Sequence, residues 1–247
     1  MWGSRFMSLY RDKAIVLRTY DLKESDRIIV MMTEEHGKVR AVANGVRKMS
    51  SRFGARLEPL SHIDVLLSKG KDLDTVSQVE LVTSARGLYT DLDRLTRGLA
   101  MLEAVDQLGM EGEPTQHLYK MLVGALQWLS ENDSALVLAA FYFKLLVVEG
   151  VGAHVEKCVG CGAPGEEIVA FDIFRGGGQC QSCRSGASIS SAAIKIIQNI
   201  VGGQLNLALS LPESAATREV SDLATKCMEH HLERRLKSVA VFERPER

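Results

Sequence analysis

The sequence contains no long hydrophobic run. Its most apolar stretch, residues 135–148, is about fourteen residues long, includes Lys144 and is too short to span a bilayer. The first seven residues have neither the apolar core nor the cleavage site of a secretory signal. These absences predict a protein without a membrane segment that works in the cytoplasm, where the reducing environment keeps cysteines as thiols.

The sequence also lacks the motifs of two large enzyme classes. It has no glycine-rich phosphate loop ending in Lys-Ser or Lys-Thr, and no Gly-x-Ser-x-Gly nucleophile elbow. The formal net charge is only −1, so a charged partner such as nucleic acid must be recognised by a local patch rather than by the whole surface. The sequence therefore predicts a protein that is not an enzyme.

The strongest chemical signal is a pair of Cys-x-x-Cys motifs. Cys158 with Cys161 and Cys180 with Cys183 are separated by eighteen residues. A two-residue gap lets both thiolates of a tight turn reach one ion at about 2.3 Å, and two such turns complete a tetrahedron. Because four thiolates leave no open coordination position, the motif predicts a structural zinc ion. Cys227 has no partner at ligand spacing and is interpreted as a packed thiol.

Two other interpretations of the cysteine pairs stay open. They are two redox dithiols, as in a dithiol oxidoreductase, or four thiols without a metal. A thioredoxin-like Cys-x-x-Cys belongs in a βαβ setting, and neither pair has one.

The apolar pattern changes along the chain from strand-like to helix-like. Five β-rich runs separated by turn residues predict a small closed or nearly closed barrel; they are residues 14–17, 27–32, 38–43, 63–67 and 75–79. The later pattern predicts helices at residues 88–108, 115–129, 134–148, 191–201 and 213–239. Ser190 is a suitable N-cap for the fourth helix, and a strand at residues 168–174 turns at glycines 176–178. The fold class is therefore α+β.

A basic segment lies within the predicted barrel. No acidic residue occurs between His36 and Leu57, whereas six basic residues do: Lys38, Arg40, Arg47, Lys48, Arg52 and Arg56. Lys38 and Arg40 alternate along one strand and so share a face. The segment suits a groove that follows phosphates, with Phe53 as a base-stacking surface. A solvated positive loop, with Phe53 as a core anchor, is the other interpretation.

The sequence resembles the bacterial RecO family of DNA repair proteins. The resemblance is carried by residues 13–18 (KAIVLR), 24–27 (ESDR), 33–38 (TEEHGK), 44–47 (NGVR), 51–54 (SRFG), 57–59 (LEP), 78–80 (QVE) and the two cysteine pairs. Each segment is weak alone, but together and in this order they are specific and cover nearly the whole chain.

The resemblance implies a domain plan and a function. It implies an OB-fold DNA-binding domain at residues 1–84 and a helical domain at residues 85–247, with the zinc motif at about 155–187. It further implies binding of single- and double-stranded DNA, annealing of complementary strands and, with RecR, loading of RecA onto DNA coated by single-strand-binding protein (SSB). Such a protein would be associated with the bacterial nucleoid.

The resemblance also suggests where the partners bind. DNA binding is assigned to Lys38, Arg40, Arg47, Lys48 and Arg52 and, less directly, to Arg27 and Arg56. A second basic group, Arg234, Arg235 and Lys237, is the next candidate. The SSB C-terminal tail, which is acidic and apolar, is expected to dock on the helical half, whose cations include Arg94, Arg97, Lys120 and Lys144. The alternative function is a zinc-stapled adapter whose main ligand is another protein and which contacts DNA only weakly.

Overall fold

The structure is a computed structural model that describes residues 8–48, 51 and 53–238. The chain divides into two compact units, Met1–Glu131 and Asn132–Arg247. In the described part of the chain, no helix combines the length and the apolar character needed to cross a membrane.

The first unit begins with a closed five-stranded barrel. Its strands are β1 (Leu9–Asp21), β2 (Arg27–Thr33), β3 (Lys38–Ala43), β4 (His62–Ser68) and β5 (Asp74–Thr83). Their order around the barrel is β1-β2-β3-β5-β4, with β3 and β5 parallel and the other neighbours antiparallel. A closed five-stranded barrel is the architecture of an OB-fold, so the predicted barrel and its five strands are confirmed.

Alternation along the strands separates the barrel core from its surface. On β3, Val39 and Ala41 point into the core while Lys38 and Arg40 share the outer face, as the sequence predicts. Phe53 is only 2% exposed and lies in the barrel core next to the 3-10 turn Gly54–Leu57. The interpretation of Phe53 as a core anchor is therefore correct, and its interpretation as a base-stacking surface is wrong because no base can reach the ring.

The described part of the first unit continues with three helices, α1 (Arg86–Tyr89), α2 (Leu92–Leu108) and α3 (Gln116–Glu131). The predicted continuous helix at residues 88–108 is wrong, because Asp91 adopts an extended conformation and its carboxylate accepts a hydrogen bond from the Arg94 N–H. This N-cap starts α2 as a separate helix.

Helices α2 and α3 pack on the outside of the barrel. They contact β1 and β2, and Ile15 and Met32 are buried there although they lie outside the barrel core. Because of this packing, the compact unit extends to Glu131. The predicted domain boundary between residues 84 and 85 stays a prediction.

The second unit, as far as residue 238, contains four helices and the cysteine module. The helices are α4 (Val137–Val148), α5 (Ser191–Val201), α6 (Leu205–Leu209) and α7 (Ala215–His231). Between α4 and α5 lies a three-stranded sheet of β6 (Ile168–Asp172), β7 (Gly177–Cys180) and β8 (Ala187–Ser188), in the order β7-β6-β8. Ser190 caps α5 by accepting a hydrogen bond from the Ala193 N–H, as predicted.

The last predicted helix, residues 213–239, is too long. Helix α7 ends at His231, and Glu233 has the left-handed φ of 52° that stops a helix. Arg234, Arg235 and Lys237 therefore follow the helix instead of lying on it. Helix α6 has five residues, which is too few for a helical period to be visible in the sequence.

Candidate metal centre and nucleic-acid interface

The four cysteines of the two motifs come together in one cluster. Their Sγ atoms all lie within 4.8 Å of one another, and those of Cys161 and Cys180 are 3.6 Å apart. A tetrahedral metal with bonds of about 2.3 Å to sulfur requires sulfur atoms about 3.8 Å apart. The cluster therefore has the donor set and the spacing to hold a metal ion.

Glycines and backbone amides shape the first cysteine turn. The Cys158 Sγ accepts hydrogen bonds from the N–H of Cys180 (3.3 Å) and of Gly160 (3.4 Å). A Cβ on Gly160 would lie 2.8 Å from the Cys183 Sγ, so only glycine fits at this position. Gly162 has a φ of +77°, which a residue with a side chain rarely adopts. The two glycines of the sequence Cys-Val-Gly-Cys-Gly thus allow the first cysteine turn to lie close to Cys183 of the second motif.

The same contacts set the protonation of the cluster. Hydrogen bonds donated by backbone amides, first of all that of Cys180, lower the pKa of Cys158 to about 6. Hydrogen bonds to the other sulfurs, first of all that of Cys161, raise the pKa of Cys183 to about 12. A metal that binds all four sulfurs must therefore displace protons, that of Cys183 among them.

A buried amide braces the second cysteine turn. Gln179 is fully buried, and its Nε2 donates to Asp172 Oδ2 (3.1 Å) and Ser185 Oγ (2.8 Å). Its Oε1 accepts from the N–H groups of Ser185 and Gly186, both at 2.9 Å. This network ties the loop after Cys183 to the end of β6. Sequence reasoning missed Gln179, because a glutamine beside a cysteine carries no signal of its own.

The cysteine cluster has no competitor among the described residues. Within that part of the chain, no other set of three or more His, Cys, Asp or Glu side chains gathers so closely. His154 does not belong to the cluster, and Cys227 is buried on α7, where burial raises the pKa of its thiol to about 12. The interpretation of Cys227 as a packed thiol agrees with this position.

The structure turns Lys38 away from solvent. Its Nζ donates to the backbone oxygen of Asp106 (2.7 Å) and lies 3.6 Å from the Asp106 carboxylate. Asp106 is 5% exposed and also binds Arg18, whose Nε is 2.7 Å from Oδ2. Since the Lys38 side chain is only 14% exposed, it joins the barrel to α2, a contact that the sequence pattern did not reveal.

The remaining described members of the basic segment are exposed, and two of them, Arg40 and Arg47, have carboxylate partners. Arg40 lies 3.6 Å from Glu111. Arg47 and Arg27 both bind Asp21, each at 3.2 Å, and Arg27 also binds Glu58 at 3.0 Å. The result is a chain of alternating charges that brings Arg27 and Arg47 together, although they lie far apart in the sequence.

Lys48, Arg56 and Arg52 complete the set of predicted DNA-binding residues. Lys48 and Arg56 are exposed, on the turn after β3 and on the 3-10 turn respectively. Lys48 forms no ion pair with any described carboxylate. Arg52 lies outside the described residues.

Comparisons with known proteins cover both units. Residues 7–85 match the family model described as recombination protein O N terminal, and residues 89–240 match that described as recombination protein O C terminal. The chain belongs to the RecO family. The resemblance inferred from the short motifs is thereby confirmed.

Full-length relatives support the same assignment within the RecO family. The chain is 40% identical to the DNA repair protein RecO of Frankia casuarinae, and 41% identical to those of Thermobifida fusca and Streptomyces coelicolor. Each alignment covers 96% of this chain and 100% of the relative. A RecO-family chain that spans the full length of these relatives therefore carries the cysteine cluster and the basic segment described above.

Replacing Lys38 with methionine is expected to destabilise the first unit of this RecO-family chain by about 1–3 kcal/mol, because a buried carboxylate loses a charged partner. Arg40→Met, on the same strand face, is the matched control and should cost less than about 0.5 kcal/mol, because its ion pair is exposed. Trp128 lies on α3 in the first unit, and residues 132–247 contain no tryptophan, so urea unfolding followed by tryptophan fluorescence measures the first unit. Equal losses in the two variants would contradict a structural role for Lys38.

Proposed function

We propose that this RecO-family protein is a recombination mediator in DNA repair. In this proposal it binds single- and double-stranded DNA, anneals complementary strands and, with RecR, helps to load RecA onto DNA coated by SSB. It does so without catalysing a reaction, and it acts in the cytoplasm at the nucleoid. The observation that carries the proposal is the basic segment on the barrel of a RecO-family chain, whose described cations are solvent-exposed apart from Lys38.

In the proposed mechanism, phosphates of the nucleic acid replace the carboxylates that pair with arginines of the basic segment. The Arg47–Asp21 and Arg40–Glu111 pairs are exposed, and exposed ion pairs contribute only about 0–1 kcal/mol. A phosphate can therefore replace the carboxylate at little cost, and the counterions released from the nucleic acid favour binding. Cations that neutralise two strands at once lower the repulsion between them, which promotes annealing.

We further propose that the metal of the cysteine cluster is zinc with a structural role. Four thiolates are a soft donor set that selects zinc over magnesium or calcium. A closed tetrahedral set has no position for water, so the ion would hold the two cysteine turns together without activating a substrate. Metal analysis of the purified protein tests this proposal, with one zinc per chain as the expected result.

The DNA proposal is tested by fluorescence anisotropy with a labelled single strand, together with annealing of two complementary labelled strands. Tight, salt-sensitive binding and faster annealing are the expected results. A zinc-stapled adapter would instead bind its protein partner while showing weak DNA binding and no acceleration of annealing.

An apolar groove on the second unit fits the proposed docking of the SSB tail. The groove has a volume of about 440 Å³. Its apolar lining includes Phe143, Leu146, Phe171 and Phe174, and its edge carries Arg175, His154, His230, His231 and Glu233. Phe174 is 86% exposed and its ring meets that of His230 edge-on at 4.8 Å. An acidic, apolar peptide matches an apolar floor beside Arg175.

The four cations named from the sequence occupy other places. Arg94, Arg97 and Lys120 are in the first unit, where the Arg94 Nη1 donates to the backbone oxygen of Ser130 at 3.2 Å. Lys144 lies on α4 and does not line the groove.

Combining Phe174→Ala with Arg175→Glu is expected to weaken binding of an SSB tail peptide by about tenfold or more, because an aromatic anchor and the adjacent charge are lost together. The full chain is titrated into a fluorescently labelled tail peptide. The matched control combines Leu207→Ala with Arg218→Glu, which changes an exposed apolar residue and an exposed arginine outside the groove. Unchanged peptide affinity in the Phe174/Arg175 variant would exclude this groove as the tail site.

A further inference from the structure

A second groove lies on the first unit, where the 3-10 turn approaches α1. It has a volume of about 710 Å³, within the range of about 300–1,000 Å³ that is usual for small-molecule sites. Its lining combines cationic, aromatic and apolar side chains, principally Arg56, Arg86, Tyr89 and Leu81. Nothing in the sequence patterns singled out Arg86 or Tyr89.

The charge of this groove suits an anion. Arg86 is exposed and forms no ion pair with any described carboxylate, and Arg56 is exposed on the facing turn. Glu58 is the acidic residue in the lining, and its carboxylate is bound by Arg27 at 3.0 Å. Two guanidinium groups therefore face the groove, whereas its one carboxylate, that of Glu58, is ion-paired with Arg27.

Tyr89 gives the groove an anchored aromatic surface. Its hydroxyl donates a hydrogen bond to the backbone oxygen of Pro59 at 2.9 Å, while the residue remains 47% exposed. The neighbouring Leu81 is 44% exposed. A held, accessible ring beside cations is the arrangement on which unpaired bases stack. Phe53 lines the same groove but is buried in the barrel core, so Tyr89 is the ring that a base can reach.

The groove is continuous with the basic segment. The alternating chain of Arg47, Asp21, Arg27 and Glu58 runs from the turn after β3 to the groove wall. A strand whose phosphates follow the basic segment would reach this groove at the end of that chain.

We propose that the groove binds an unpaired base of single-stranded nucleic acid, which stacks on Tyr89 while the flanking phosphates bind Arg86 and Arg56. The proposal rests on the proposed function, because it specifies where a bound single strand places a base. The groove is specific for single strands, since the bases of a duplex are already stacked and paired. It gives no sequence preference, because every base has a face that can stack.

Photocrosslinking tests the proposal on the unmodified full chain. An oligothymidylate strand carrying 5-iodouracil is bound and irradiated, and the crosslinked residue is identified by mass spectrometry. Tyr89 is the expected site. In parallel, Tyr89→Ala should weaken single-strand binding by between about fivefold and a hundredfold, because the stacking surface is lost. Tyr89→Phe retains the ring, so its single-strand affinity should stay within about twofold of that of the unmodified chain. Duplex affinity should not change in either variant.

Two further variants are measured. The first tests the contribution of charge, and the second tests whether the loss of any exposed tyrosine weakens binding. Single-strand affinity falls with salt, and the slope of its logarithm against the logarithm of the salt concentration measures the number of phosphates bound. In Arg86→Gln this slope should be less negative by about 0.7, which is the contribution of one phosphate. Tyr20→Ala is the matched control, because Tyr20 is 41% exposed and packs against Arg18 outside the groove. Its single-strand affinity should equal that of the unmodified chain.

The outcomes are distinguishable. Crosslinking at other residues, together with unchanged affinity in Tyr89→Ala, would overturn the groove while leaving the proposed DNA binding intact. Equal weakening of single-strand and duplex binding in Tyr89→Ala would also overturn base stacking. Failure of the unmodified chain to bind any single strand would overturn the proposed function and this inference with it.

Discussion

Removing the metal from the cysteine cluster is expected to unfold roughly residues 155–190 and to leave the barrel folded. A structural zinc contributes on the order of 10 kcal/mol or more to a small module, and the sheet of this module is short, since β7 has four residues and β8 has two. Cys180→Ser should have the same effect, because Cys180 is buried and its replacement removes one of four ligands. Hydrogen exchange should report the loss of protection in the module.

Tryptophan fluorescence provides the control for this prediction. Trp128 belongs to the first unit, and residues 132–247 contain no tryptophan. The fluorescence-detected unfolding transition of the first unit should therefore be unchanged by chelation or by Cys180→Ser. Cys227→Ser is the matched substitution, and it should retain one metal ion per chain because Cys227 is not in the cluster. Stoichiometric metal in the Cys180→Ser variant would show that the four cysteines are not the ligand set.

Replacing both Arg47 and Lys48 with glutamate is expected to abolish strand annealing. It should also weaken DNA binding by the same factor for every DNA sequence. Both side chains are exposed, Lys48 forms no described ion pair, and the partner of Arg47 is the exposed Asp21. The change therefore replaces two phosphate-binding cations with repelling anions. It should alter stability by under about 0.5 kcal/mol, as exposed substitutions usually do. Anisotropy and an annealing assay measure the two effects.

The matched control applies the same change of charge elsewhere. Arg218→Glu combined with Lys226→Glu on α7 alters the net charge equally but leaves the barrel untouched. This control should anneal DNA like the unmodified chain. Unchanged DNA affinity in the Arg47/Lys48 variant would move the DNA site off the barrel, and the surface around Arg234, Arg235 and Lys237 would become the next candidate.

Much of the fold could be predicted because local patterns determine it. The five strands follow from the alternation of apolar and polar residues between turn residues, and the cysteine cluster follows from two short motifs with fixed spacing. The break between α1 and α2 could not be predicted in the same way, because Asp91 interrupts an apolar period that continues on both sides. The end of α7 depends similarly on one left-handed residue, Glu233.

The candidate nucleic-acid interface was harder to predict than the metal cluster. A charge run identifies which residues are basic but not which carboxylate lies opposite each of them. Lys38 binds Asp106, which lies 68 residues away in the sequence. Its position in the charge run therefore suggests a phosphate-binding role that this contact does not favour. Arg86 and Tyr89 were missed for the opposite reason, since they join the groove only when α1 folds against the turn that carries Arg56.

The central claim, that the barrel binds DNA through phosphates, is tested most directly by a salt titration of single-strand binding to the unmodified chain. If three or four cations contact phosphates, the logarithm of the affinity should fall linearly with the logarithm of the salt concentration, with a slope of roughly −2 to −3. The Arg47/Lys48 variant should give a flatter slope. A slope near zero, or the same slope in both proteins, would contradict the claim.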